Sequence, residues 1–179
     1  MGEHTLLVFT RMNREANAYY EFLDATQTLQ LQVAQTIKTH SPGILILRVV
    51  FEGDLTTALR EAFRKHIWLL RSLLKVTKAD RVVDVDDEES ISGLSAWINT
   101  WLNGAKYRIT VHRVKNQETK ARLIHLITSS IAAPVDLEAY EREVIMYLVD
   151  SKLYLTLGSE NEISIQKLES YDDFDKSFS

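Results

Sequence analysis

"APVDLEAYEREVIMYLVDSKLYLTLG", residues 133–158, contains two apolar runs, "EVIMYLVD" and "KLYLTLG", separated by Asp150 and Ser151. Runs of alternating, β-branched and aromatic side chains divided by two small polar residues predict a β-hairpin with a tight turn. A hairpin alone cannot bury its apolar side, so the elements in front of it decide the fold.

Upstream, "KYRITVHRV" sets Tyr107, Ile109 and Val111 on one side and Arg108, Thr110 and His112 on the other. That is the period of a half-buried strand. A helix is expected from about Gln117 to Ala132, with Asn116 as its cap and Ile124, Ile127 and Ile131 buried. Before the strand, "SISGLSAWINTWL" repeats Ile91, Leu94, Trp97, Ile98 and Trp101 at helical spacing, and Asn103 with Gly104 closes that helix. The three tryptophans are candidate platforms for stacked bases. Trp97 and Trp101 stand four apart on the apolar face, which is ordinary core spacing.

Nearer the N-terminus, "HTLLVFT" reads as a buried strand, and Tyr20, Leu23, Leu31, Ala34 and Ile37 suggest one helix, or two short ones, between Arg14 and Lys38. "ILILRVVF" is a second strand, Asp54 caps the helix "LTTALREAFRK", and "IWLLRSLLKV" is a third strand or the way into one. The first 65 residues thus read as a β-α-β-α unit, and "ISIQKL" adds a last short strand. The expected fold class is mixed α+β (α/β), with strands and helices interleaved over residues 1–65 and again over 66–168, and 169–179 as an acidic tail dotted with aromatics.

Composition narrows the chemistry. The chain has 179 residues, 45% of them hydrophobic, with two prolines and no cysteine. Disulfides, thiol nucleophiles, zinc ribbons and iron–sulfur clusters are excluded, and a reducing, cytoplasmic setting is expected. No apolar stretch approaches membrane-spanning length, and the N-terminus carries too many charges for a signal peptide, so no membrane partner is expected.

Charge is unevenly distributed. The net charge is -4, yet residues 136–179 hold 11 acids against 4 bases, while residues 106–122 hold six bases against one acid, Glu118. Where charge sits says more about partners than its total does. Arg108, His112, Arg113, Lys115, Lys120 and Arg122 follow a strand, a turn and the first turns of a helix whose leading N–H groups lack partners. Such a joint suits a chain of phosphates. A solvated charged surface that discourages aggregation has the same composition.

From about Trp68 to Leu157 the chain resembles a THUMP domain, the RNA-binding module of thiouridine synthases, RNA methylases and pseudouridine synthases. The resemblance is carried by "LLRSLLKV", an acidic-start helix, "KYRITVHRVK", "ETKARLIHLITSSI", and above all Val135-Asp136-Leu137 with the hairpin behind it. The turn before the second helix reads Asn-Gln-Glu where the family usually has a glycine. The resemblance implies helices on a mixed sheet and a role in gripping tRNA, with Arg108, His112, Arg113, Lys115, Lys120 and Arg122 facing RNA and Arg71 and Lys75 extending that surface. It further implies a stand-alone protein similar to the adaptor that presents tRNA to a separate cytidine acetyltransferase, with no cofactor of its own. A protein-interaction module without an RNA ligand is the alternative.

Catalytic readings are weaker. His112 and His125 have no serine, carboxylate or second histidine at a spacing that predicts a partner, so no catalytic residue is assigned. "DVDDEES" groups five acids but lacks the glycine and terminal glutamate of a calcium loop. Acids there are expected for capping, and no metal site is assigned. Six scattered glycines form no nucleotide loop, and the segment after the hairpin is too short and polar for a catalytic domain, so the chain is expected not to be an enzyme.

Overall fold

The computed structural model describes residues 2–170. In chain order the elements are β1 (Gly2–Thr10), α1 (Glu15–Ala25), β2 (Gln32–Lys38), β3 (Ile44–Phe51), α2 (Leu55–Lys65), a 3-10 turn (Ile67–Leu69), β4 (Leu73–Ala79), β5 (Arg81–Asp84), α3 (Glu88–Leu102), β6 (Tyr107–His112), α4 (Gln117–Thr128), β7 (Arg142–Val149), β8 (Lys152–Leu157) and β9 (Glu162–Ser164). The described residues form two units, one of 2–78 with 160–170, the other Ala79–Ser159. The division falls at residue 78 rather than 65 because β4 belongs to the first unit's sheet and β9 returns to pair with it. Residues 171–179, most of the expected acidic tail, lie outside the described residues. None of the helices described is long and apolar enough to cross a membrane.

The first unit is a five-stranded sheet in the order β2-β3-β1-β4-β9. Leu6 and Val8 of β1, Leu45, Leu47 and Val49 of β3 and Val76 of β4 share one core with Phe22 of α1 and Leu59 and Phe63 of α2. Phe22 and Phe63 meet nearly edge-on, with ring centroids 5.9 Å apart. Such an arrangement suits the quadrupoles of two aromatic rings. Asp54 caps α2 as expected: its carboxylate accepts from the Thr57 backbone N–H at 3.1 Å and from the Thr57 hydroxyl at 2.8 Å. These bonds hold its carboxyl below the usual range.

Two readings are corrected here. Residues 32–38 are strand β2, not helix, so the N-terminal order is β-α-β-β-α. The register of β2 against β3 shifts between Val33 and Gln35. The bulge sets Val33, opposite Val49, on the core face and Ile37, opposite Ile46, on the other, so no single two-residue alternation runs through the strand. The segment "ISIQKL" is strand only as far as Ser164, and residues 165–170 are helical.

The second unit is a four-stranded sheet, β5-β8-β7-β6, with α3 and α4 packed on it. β7 and β8 are the expected hairpin: Asp150 and Ser151 have φ of 49° and 63°, so both central residues are left-handed and the turn follows the strands' twist. β6 runs parallel to β7 and is connected to it through α4. A parallel pair requires such a crossover. Val144 and Met146 of β7 and Leu153 and Leu155 of β8 pack with Ile91, Leu94 and Ile98 of α3 and Leu123 and Ile127 of α4. Trp97 and Trp101 pack partly buried against this core, as their spacing predicts. The expected final turn of α4 to Ala132 is absent, since the helix ends at Thr128.

Candidate nucleic-acid interface

The basic stretch occupies the edge of the second unit's sheet. Tyr107 and Val111 of β6 are buried toward the helices, so Arg108, Thr110 and His112 alternate onto the other face. The Val-Asp-Leu segment closes the start of that edge. The Tyr107 N–H donates to the Pro134 carbonyl at 3.1 Å, and the Asp136 N–H donates to the Tyr107 carbonyl at 2.9 Å. The Asp136 carboxylate in turn accepts from the N–H groups of Ala139 (2.9 Å) and Glu138 (3.0 Å), and those bonds hold its carboxyl below the ordinary value.

Arg108 is not a free cation. The parallel register sets it beside Glu143, and its Nη2 donates to Glu143 Oε1 at 2.9 Å. The same oxygen accepts from the Thr110 hydroxyl at 3.0 Å, and the guanidinium lies 4.4 Å from the centre of the Tyr140 ring. The Arg108 side chain is 34% exposed and that of Glu143 13%, so the pair is partly withdrawn from water. Hydrogen bonding to Glu143 keeps Arg108 charged above its ordinary range. His112 is occupied as well, stacked on the Tyr147 ring at 4.9 Å.

Beyond His112, Arg113 takes a left-handed backbone (φ 67°) that ends the strand. Lys115 comes next, exposed, and Asn116 caps α4 by accepting from the Glu118 N–H at 2.9 Å. Lys120 and Arg122 do not share a face. At about 100° per residue they point some 160° apart, flanking the buried Leu123–Ile127 stripe from opposite sides. Arg122 pairs with Glu88 at 3.2 Å in an exposed contact. Neither Lys115 nor Lys120 has a side-chain hydrogen bond or ion pair among the described residues.

The continuous cationic row expected from the sequence is therefore broken. Lys115 and Lys120, on either side of the Asn116 cap, have no partner among the described residues, whereas Arg108, His112 and Arg122 are held by Glu143, Tyr147 and Glu88, and Arg113 is engaged as well. Arg71 and Lys75 belong to the first unit. There Lys75 pairs with Glu162 at 3.2 Å and lies over the Phe9 ring, while Arg71 lines a separate concavity with Arg11 and Arg14. Sequence spacing revealed none of these partners. Glu143 and Glu162 come beside Arg108 and Lys75 only through strand register, and the arginines of the concavity come together only by folding.

The acids of "DVDDEES" act as the capping reading predicts: Asp87 accepts from the Ser90 N–H at 3.1 Å and the Ser90 hydroxyl at 2.6 Å at the start of α3. The second of these bonds is the chief cause of the lowered Asp87 carboxyl.

No family model and no curated protein matches the chain. Among solved structures it is similar to PH1313 from Pyrococcus horikoshii, with a TM-score of 0.61 and 16% identity over 90% of this chain and 55% of that one. It is similar to a 4-thiouridine synthetase solved in complex with RNA and bound ATP, with a TM-score of 0.57 and 10% identity over 91% of this chain and 42% of the other. TrmN from Thermus thermophilus gives a TM-score of 0.50 and 13% identity over 87% of this chain and 45% of that one. The chain spans about half the length of these structures. With a thiouridine synthetase among structures matching across both units, the chain has a mixed α+β, THUMP-like fold.

Proposed function

We propose that this chain is a tRNA-binding adaptor that supplies affinity and orientation to a separate modification enzyme, a cytidine acetyltransferase. In this reading the chain carries no catalytic residue and the chemistry belongs to the partner. The likeness to a 4-thiouridine synthetase solved with RNA supports an RNA ligand. The observation that carries the reading is the β6–α4 joint. Lys115 just before the Asn116 cap and Lys120 in the opening turns of α4 are both without partners among the described residues. A phosphate backbone crossing that joint would meet cationic side chains and the positive end of a helix together.

The direct test is to cross-link the protein in cells, recover it, sequence the bound RNA and identify the proteins that accompany it. Enrichment of tRNA together with an acetyltransferase is expected. Recovery of protein partners without tRNA would replace this reading with a protein-interaction module. One observation favours that second reading: Val135 and Leu137, flanking the Asp136 turn, are 53% and 65% exposed.

A further inference from the structure

The first unit holds a concavity of about 590 Å³ lined by Arg11, Arg14, Asn17, Arg71 and Ser72, with Glu21 and Glu169 among its acids. Its arginines come from two places: Arg11 and Arg14 from the loop between β1 and α1, and Arg71 from the residues just before β4. The hollow is lined by three arginines against the two carboxylates of Glu21 and Glu169, an excess of one positive charge. Glu21 turns its oxygens to the backbone rather than to an arginine, accepting from the N–H groups of Arg71 (2.6 Å), Ser72 (2.8 Å) and Leu73 (3.3 Å). No ion pair holds Arg11, Arg14 or Arg71 among the described residues.

Arg11 is also aimed. Its Nε donates to the Arg71 carbonyl at 2.7 Å, which fixes the guanidinium plane and leaves its terminal nitrogens as donors. Such a cluster matches an anion that carries more than one charge and several acceptor oxygens. The volume suits a nucleotide-sized ligand.

We propose that this concavity binds a phosphate monoester, a terminal dianionic phosphate rather than the diester of a continuous strand. At pH 7 a monoester carries close to two charges and presents three oxygens to the arginines, whereas a diester carries one. Two sources share this chemistry: the 5′-phosphorylated end of an RNA, and a free mononucleotide. The first source rests on the RNA-binding reading above, and the second does not.

The experiment compares the full chain with the Arg14→Gln/Arg71→Gln double variant, leaving Arg11 in place because it braces the loop. Both altered side chains are exposed, and circular dichroism confirms that the variant folds. Three probes are titrated: one RNA oligonucleotide bearing either a 5′-phosphate or a 5′-hydroxyl, and AMP followed by calorimetry. A 5′-phosphate that tightens binding about ten-fold, with the gain lost in the variant, assigns the site to an RNA end. AMP binding that the variant loses, with no RNA binding at all, supports the pocket and removes the RNA reading. Equal affinity for both RNA ends, together with no AMP binding, overturns the pocket and leaves the β6–α4 joint untouched.

Discussion

The broken cationic row predicts which basic residues set the salt dependence of RNA binding. A cation that neutralises one phosphate contributes about 0.9 to the slope of log affinity against log salt. Lys115 and Lys120 have no partner to give up among the described residues, so Lys115→Gln/Lys120→Gln should lower the slope by about 1.8. Between 50 and 200 mM salt the variant's affinity should therefore fall about 12-fold less than the parent's. Arg108→Gln should leave the slope nearly unchanged, because its guanidinium is already engaged by Glu143 and Tyr140. Fluorescence anisotropy of labelled tRNA across that salt range measures all three. If Arg108→Gln flattened the slope as much as one lysine does, its ion pair would have to open for phosphate. A parent-like slope in the double lysine variant would take the joint out of the interface.

Arg108 should instead govern stability. Arg108→Ala is expected to lower the melting temperature of the second unit by leaving the mostly buried Glu143 without its partner, and adding Glu143→Gln should recover part of the loss in a double-mutant cycle. Phe22→Ala in the first unit's core should cost about 3–5 kcal/mol in urea unfolding, since Phe22 is fully buried against Phe63. For acid stability, Asp54 and Asp87 have carboxyls lowered in the folded state from ordinary values of 3.8. The unfolded chain then binds more protons, so their contribution is complete above about pH 4 and disappears as pH falls through the folded values. Asp54→Asn/Asp87→Asn should flatten the acid limb of a stability profile, and an unchanged limb would deny both caps their part.

Helices α2 and α3 and strand β6 were legible because each buries one regular face, so its period is written in residues such as Tyr107, Ile109 and Val111, and the hairpin β7–β8 was legible as two continuous apolar runs, buried on both faces, around Asp150 and Ser151. β5 escaped notice because its four residues, Arg81 to Asp84, carry almost no period. β2 was hidden by its bulge. The site was legible as composition but not as electrostatics: the run of bases is plain in the sequence, yet the pairing of Arg108 with Glu143 depends on the register of β6 beside β7. The resemblance carried by Val135-Asp136-Leu137 pointed to the correct fold, and the physical task of that segment, closing the β6 edge through Tyr107, became visible only in three dimensions.

The late return of β9 bears on how the protein is made. Val76 is paired with Ile163, so the whole second unit, Ala79–Ser159, is threaded between two strands that are neighbours. While the nascent chain is still on the ribosome, one flank of β4 must wait uncovered through the synthesis of about eighty residues, a standing invitation to mispairing. The intervening unit can fold meanwhile from contiguous sequence, and in doing so it shortens the effective loop that β9 must close.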